Sequence, residues 1–476
     1  MGYEAVIGLE IHAQLQTRTK LFCACPATFG AEPNTLTCPV CLGLPGALPV
    51  LNRRAVEFAI RAAGALGCTV HRESAFDRKS YFYPDLPKGY QITQYTRPLA
   101  TGGGIETDMP DGVRSVPIRR IHIEEDAGRT VRGPAADRVL LDFNRAGTPL
   151  AEIVTEPAIS SPAEAVACLK ALRQILMYLE VCNGNMEEGS LRCEANVSVR
   201  PLGSTEHRPR TEIKNLNSFR FVERAMRIEI DRQVAVYEAG GAIEPRTMCY
   251  DENADSVRPT RPKEEAHDYR YVPEPDLQPL RLSDERIAEV AAEQPELPRA
   301  RRARFETQYG LPRSAAEVLT AERPLADYFE DCVKLWLDPH AVAGWVMTDL
   351  LGGLGRDKVP VASCPVTPNN LVSLLKLIHK GEISHAMARE IFAEMYRSGS
   401  DAPTIVHEKG LAQVSDAAEL RAVVEGIVDA NPAQFDKYLA GNEKIIDFFM
   451  GELMKATMGR ANPAVALEII KRKLKK

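Results

Sequence analysis

The stretch Ile7-Gly8-Leu9-Glu10-Ile11-His12-Ala13-Gln14-Leu15 alternates apolar and polar side chains without a break. Successive side chains of a β-strand point to opposite faces, so Ile7, Leu9, Ile11, Ala13 and Leu15 belong on one face and Glu10, His12 and Gln14 on the other. The construction recurs at Leu191 to Val199, where Leu191, Cys193, Ala195, Val197 and Val199 turn inward and Arg192, Glu194, Asn196 and Ser198 turn away. Two further segments carry polar pairs in step, Asp142 with Asn144 and Glu212 with Lys214. One such strand alone reads as the solvated face of an antiparallel sheet. Repetition of Glu, His, Asp and Asn in register supplies hard ligands for a divalent cation. In Ile121-His122-Ile123-Glu124-Glu125-Asp126-Ala127-Gly128, three consecutive carboxylates repel one another, which calls for a cation or an arginine nearby; taken alone, the run is also a solvated turn.

Around these strands the chain is long, at 476 residues, and several domains are expected. Hydrophobic content of 45% and charged content of 26% exclude a disordered, collagen-like or low-complexity chain and describe a soluble globular one. A net charge of -6 excludes a strongly cationic nucleic-acid coat and leaves local basic patches open. No membrane segment is expected: the uncharged stretch from Pro33 to Asn52 is broken by Pro39, Pro45 and Pro49. The first residues lack a basic region followed by an apolar run, and no Ser or Thr stands at position 6, so neither a secretory signal nor a myristoylation site is read there. With 11 cysteines and no such signal, a reducing compartment, the cytoplasm, is expected.

The fold class expected is α+β. Up to Leu282, short alternating segments are separated by Gly, Pro and Asn, which points to a mixed or antiparallel-sheet cradle domain over 1–292. From Asp284 onward the pattern is helical, read as an all-helical domain over 293–405 and a small helical tail over 406–476. The clearest early helix begins at the capping box Ser161-Pro162-Ala163-Glu164 and is expected to stop at Asn183-Gly184. A second runs from Phe221 to Glu238 and ends at Gly240-Gly241. Asn253 to Pro279 reads as a long ordered loop anchored by Tyr250, Tyr269 and Tyr271. Tail helices are expected over Asp416–Val428, Glu443–Met458 and Pro463–Leu474.

Cys23-Ala24-Cys25 and Cys38-Pro39-Val40-Cys41 have the spacing of a closed, structural four-thiolate zinc site; the plain alternative is four free thiols. Arg78 to Tyr90 mixes cations with three tyrosines, a composition suited to phosphate contacts and base stacking, or equally to a packed aromatic loop. Phosphate-loop, dinucleotide-fold, nucleophile-elbow and zinc-protease signatures are all missing from the sequence.

The segments GLEIHAQLQT at 8–17, CPVCLGLPGALPVLN at 38–52, KSYFYPDLPKGYQITQY at 79–95, IHIEEDAG at 121–128, DFNRAGTPLAEIVTEP at 142–157, RCEANVSVRP at 192–201, EIKNLNSF at 212–219 and KEEAHDYRYVPEPDL at 263–277 resemble the GatB family, the B component of the aspartyl/glutamyl-tRNA amidotransferases. The carboxyl-terminal WVMTDLLGGL and MGELMKATMGRANP are similar to that family's helical and tail regions. Departures are Ala158, where the family often has Asp, and RPTRPKEE at 258–265, where MRSKEE is usual. The resemblance implies one component of an ATP-dependent ligase. It would phosphorylate the side-chain carboxylate of Glu-tRNA(Gln), Asp-tRNA(Asn) or both. Ammonia from an amidase partner (GatA) would displace phosphate, and a small third partner (GatC) would brace a heterotrimer. The resemblance further implies that Glu10, His12, Glu124 and Glu125 hold Mg2+. Asp142, Asn144, Glu152, Glu194 and Asn196 would serve a second ion or ATP, with Tyr81 in the nucleotide site and Lys79 and Lys214 neutralising phosphate.

A reading of another class stays open at this point, a non-catalytic tRNA-binding scaffold with a structural zinc. The tail favours RNA under either reading. Residues 453–476 carry Lys455, Arg460, Lys471, Arg472, Lys473, Lys475 and Lys476 against Glu468 alone, so a basic helical tail on an acidic body is where a tRNA backbone is expected to dock, unless it is simply a solvated helix.

Overall fold

The computed structural model describes residues 2–133, 138–262, 266–410, 417–457 and 461–474. Two compact units are present, Met1–Pro298 and Arg299–Lys476.

The first unit is built on a ten-stranded sheet whose central strand is the opening one, Tyr3–Gln14. It pairs antiparallel with Pro149–Thr155 on one side and Leu191–Pro201 on the other. Beyond Pro149–Thr155 lies Gly112–Glu125; beyond Leu191–Pro201 lie Thr211–Lys214, Arg246–Asp251 and Ser256–Pro262. The pairing of Thr211–Lys214 with Arg246–Asp251 is parallel, so the sheet is mixed.

The alternation of the opening strand decides which layer covers which face. Ile7, Leu9, Ile11 and Ala13 are fully buried and share one hydrophobic core with Ile121, Ile123, Ile153, Ala195 and Val197 from the neighbouring strands. Leu169, Leu172 and Leu176 of the helix Pro162–Tyr178 and Val222, Ala225 and Met226 of the helix Phe219–Glu238 complete that core. Burying an aliphatic side chain of this size is worth about 1.5–3 kcal/mol, so the apolar face of the sheet is fixed by its helices. On the polar face, a small four-stranded sheet centred on Glu73–Ser80, with Tyr90–Arg97 at its side, packs near Gly112–Glu125.

Several local expectations need correction. Ser161 caps its helix by accepting from the Glu164 backbone N–H, and Glu164 accepts from Ser160, one residue before the cap. That helix stops at Tyr178, before Asn183-Gly184, because Leu179 and Val181 turn into the core. Asn253 to Pro279 is not one loop: Ser256–Pro262 is a strand paired with Arg246–Asp251, although Tyr269 and Tyr271 do anchor the segment after it. A helix over Arg53–Ala65, capped by the Asn52 side chain, escaped the sequence reading. The helix Asp284–Ala292 belongs to the first unit, held by Arg286 to Glu57 and by Arg72 to Asp284 at 2.7 Å.

In the second unit, Phe305, Phe329, Val342, Leu350 and Leu371 centre one hydrophobic cluster, which runs to Ile405. A second cluster, from Leu420 to Leu474, is formed by the helices Ala417–Ala430, Ile445–Ala456 and Pro463–Leu474. Asp416, Met458, Arg460, Lys475 and Lys476, which figured in the reading of the tail, lie outside the described residues. No helix of the described residues is long and apolar enough to cross a membrane.

Candidate active site

Sheet register builds the site. His122, Glu152, His12 and Arg192 lie opposite one another on four adjacent strands, forming a single row across the polar face. Glu10 stands opposite Glu194, and Asn196 opposite Glu212. All of these but Asn196 line an open cavity of about 390 Å3, together with Lys79, Tyr81, Glu124, Asp126, Arg145 and Lys214.

Two groups of donors converge within it. In the first, His12 Nε2 is 3.3 Å from Glu124 and 3.6 Å from Glu152, and buried His122 Nε2 is 2.9 Å from Glu152. Thr93 donates to Glu124 at 3.1 Å. Burial alone would discharge His12, but Glu152 and Glu124 outweigh it and hold its pKa well above the usual histidine value. Both carboxyls are desolvated too, yet the two imidazoles hold Glu124 and Glu152 below the ordinary carboxylate range. In the second group, Glu10, Glu194 and Glu212 meet Lys214, whose Nζ is 2.8 Å from Glu194 and 3.9 Å from Glu212. Burial lowers the pKa of Lys214, and the two carboxylates more than restore it. Asn196 donates to Glu10 at 2.8 Å and Thr247 to Glu212 at 3.0 Å.

Within each of the sets His12/Glu124/Glu152 and Glu10/Glu194/Glu212, the donor atoms lie within 4.8 Å of one another. Such oxygen-rich sets fit a hard divalent cation. Between and beside them stand cations. Arg192 pairs with Asp126 at 2.9 Å, with Arg145 3.5 Å away, and Lys79 Nζ sits 4.6 Å from the Tyr269 ring centre. An array of this kind can hold a polyanion and its counter-ions together.

The structure does not bring all the expected residues together. Glu125 points away from the cavity, pairing with Lys88 and accepting the Ile92 backbone N–H at 2.9 Å. It lines a smaller, neighbouring cavity of about 220 Å3 with Cys41, Lys88 and Tyr90. Asp142 and Asn144 are not in step on a strand, since the strand Val139–Asp142 ends between them. Both turn onto the cysteine loop: Asp142 accepts from Asn34 at 3.1 Å and Asn144 from Leu36 at 2.8 Å. Glu212, Arg192 and Asp126, noted from sequence in a polar pair, on a polar strand face and in an acidic run, were given no role in the site there, and His122 was not singled out at all. For His122 the signal was present, since it is two residues from Glu124 and therefore on its face.

The four cysteines, Cys23, Cys25, Cys38 and Cys41, do converge, with sulfurs within 4.8 Å of one another. The Cys38 backbone N–H donates to the Cys41 sulfur at 3.2 Å. Hydrogen bonding from Cys23, helped by buried Lys20 with its Nζ 3.6 Å from the sulfur, brings the Cys41 thiol down to about 4. A set of four soft thiolate donors, one already favoured as the anion, fits zinc.

The unit whose mixed sheet carries helices on one face and two acidic clusters on the other matches a family of catalytic domains, the GatB/GatE catalytic domain, over residues 5–288, and the chain matches the GatB domain over residues 327–474. Curated relatives, each named as the B component of aspartyl/glutamyl-tRNA(Asn/Gln) amidotransferase, are similar along their whole length. Those of Thermodesulfovibrio yellowstonii and of Geobacter sp. strain M21 are each 50% identical, with 100% of both chains covered. That of Myxococcus xanthus is 50% identical over 99% of this chain and 98% of its own. The chain belongs to the GatB family of tRNA-dependent amidotransferases, whose members are components of ligase-type enzymes.

Proposed function

We propose that the cavity phosphorylates the side-chain carboxylate of a misacylated tRNA, Glu-tRNA(Gln), Asp-tRNA(Asn) or both, and then amidates it. The observation that carries this reading is the convergence of two cation-binding sets and the cations Lys79, Arg192 and Lys214 in one cavity. A carboxylate and the γ-phosphate of ATP are both anions, and their approach is tolerable only where positive charge is fixed beforehand. The carboxylate oxygen bonds to the γ-phosphorus as the bond from that phosphorus to its bridging oxygen breaks, releasing ADP. Ammonia then adds to the acyl carbon, phosphate departs with the carbon–oxygen electron pair, and the nitrogen gives up a proton to solvent.

His12, Glu124 and Glu152 would hold one Mg2+ and Glu10, Glu194 and Glu212 a second. When bound, such ions neutralise phosphate oxygens. Lys79 and Lys214 hold the phosphates, Tyr81 walls the nucleotide, and Asn196 orients Glu10. Ammonia comes from an amidase partner, and a small third protein completes a heterotrimer; the basic tail contacts the tRNA backbone, and the complex works in the cytoplasm. The four cysteines hold a structural zinc. Domain limits at 292 and 405 accompany this reading, separating the cradle, the helical domain and the tail.

The test is amidation of each misacylated tRNA by the complete heterotrimer. Glu10→Ala is expected to abolish ATP-dependent activation and leave tRNA affinity nearly intact. Equal loss of binding and chemistry would favour a tRNA-binding scaffold instead.

A further inference from the structure

Phe82 is 79% exposed, an unusual position for a phenylalanine flanked by two tyrosines that pack. Its ring is not alone: the Arg270 guanidinium lies 5.4 Å from the ring centre. Arg270 reaches it from a left-handed backbone, φ 43°, a conformation that residues other than glycine adopt only at a cost. The surrounding structure thus holds a cation over an exposed ring.

The place of this pair gives it meaning. Phe82 follows Tyr81 in the chain and Arg270 follows Tyr269, and both tyrosines line the large cavity. Phe82 and Arg270 are themselves exposed and do not line the cavity, and each lies one residue, about 3.8 Å along the chain, beyond a residue that does. Inward of it the rings continue, with Tyr81 and Tyr269 centred 6.1 Å apart and Lys79 4.6 Å from Tyr269. Tyr83, 42% exposed, stands edge-on to Tyr81 at 5.7 Å. Rings interleaved with cations, leading from solvent to a polar cavity, are what an unpaired nucleic-acid end requires, since every base has a face to stack and every nucleotide a phosphate.

We propose that Phe82 and Arg270 seat the last unpaired base of the aminoacylated tRNA by stacking, outside the cavity in which the attached carboxylate reacts. This rests on the amidotransferase reading of that cavity and extends it to how the substrate end is held. The base and the amino acid share one terminal ribose, so a base seated one residue beyond the wall leaves the carboxylate free to enter.

The test uses the complete heterotrimer. Stacking of one base is worth enough that Phe82→Ala should raise KM for Glu-tRNA about tenfold, with kcat at saturating tRNA within about twofold and KM for ATP unmoved. Phe82→Tyr, which keeps a ring, should stay near wild type, and Arg270→Gln, at an exposed position where folding is not at stake, should raise the same KM by about threefold. In direct binding, wild type should favour intact tRNA over tRNA lacking its 3′-terminal nucleotide, and Phe82→Ala should erase that preference. A rise in KM for ATP instead would assign the seat to the adenine of ATP and overturn the proposal, as would unchanged kinetics or an undiminished preference for intact tRNA. If wild type itself showed no ATP-dependent amidation, the reading of the cavity would fail, while the binding comparison would still decide the seat.

Discussion

Glu124 and Glu125 are neighbours in the chain and face opposite sides of their strand. Glu124 lies 3.3 Å from His12 in the large cavity, whereas Glu125 pairs with Lys88 in the smaller one. The two carboxylates therefore serve different surroundings. Glu124→Gln is expected to lower ATP-dependent activation by at least about 100-fold and to move the Mg2+ requirement to higher concentration. Glu125→Gln should leave the Mg2+ midpoint where it is. Magnesium titrations of both variants decide the matter, and a shift with Glu125→Gln of the same size would place both in one ion site.

Lys214 occupies the space between Glu194 and Glu212, so it and a divalent cation compete for the same charge. Lys214→Met should tighten divalent-cation binding, because Glu10, Glu194 and Glu212 are then left uncompensated, while turnover falls by about 100-fold or more for want of a phosphate partner. Calorimetric titration with Mn2+ beside a kinetic assay measures the two effects, and a parallel loss of both would contradict the competition.

One zinc per chain is expected at the thiolate cluster, lost in Cys38→Ser. Elemental analysis of purified protein checks the count. Chelation of the metal should lower the thermal midpoint of the first unit.

In the second unit, Glu330 accepts from Arg304 at 2.7 Å and from the Tyr309 hydroxyl at 2.8 Å. Burial pushes its carboxyl up, but Arg304, Tyr309 and Arg301 prevail and bring it down to about 2. A carboxyl depressed on folding stabilises above its unfolded pKa, and that stability is lost as pH falls toward the folded value. The unit should therefore weaken between about pH 5 and pH 2, and Glu330→Gln should flatten this decline while destabilising by about 1–3 kcal/mol at pH 7. Urea unfolding at a series of pH values tests both statements.

Period-two alternation made the two faces of the opening strand and of Leu191–Val199 legible, hence Glu10, His12, Glu194 and Asn196 as a group. The same alternation separates Glu124 from Glu125 at the end of Gly112–Glu125, although adjacent carboxylates in a sequence resemble a single ion-binding pair. Glu152 joins His12 and Glu124, and Glu212 joins Glu10 and Glu194, only through register, which a single sequence does not display. Asp142 and Asn144 resembled ligands because short polar side chains that cap a loop have the same composition as those that bind an ion. The Arg53–Ala65 helix was hidden by the proline-rich run before it, although Asn52 is an ordinary cap.

The central position of the opening strand has a consequence for how the protein comes into being. Its two partners arrive some 140 to 190 residues later in the chain, at Pro149–Thr155 and Leu191–Pro201. Contacts so distant in sequence close slowly, so during synthesis Tyr3–Gln14 must wait, with both edges unpaired, until those partners have left the ribosome. A slip of one residue in either pairing would drive Glu10 and His12 into the helices and turn Ile11 outward, which the apolar core forbids. The side chains that fold the sheet are thus also the proofreaders of its chemistry.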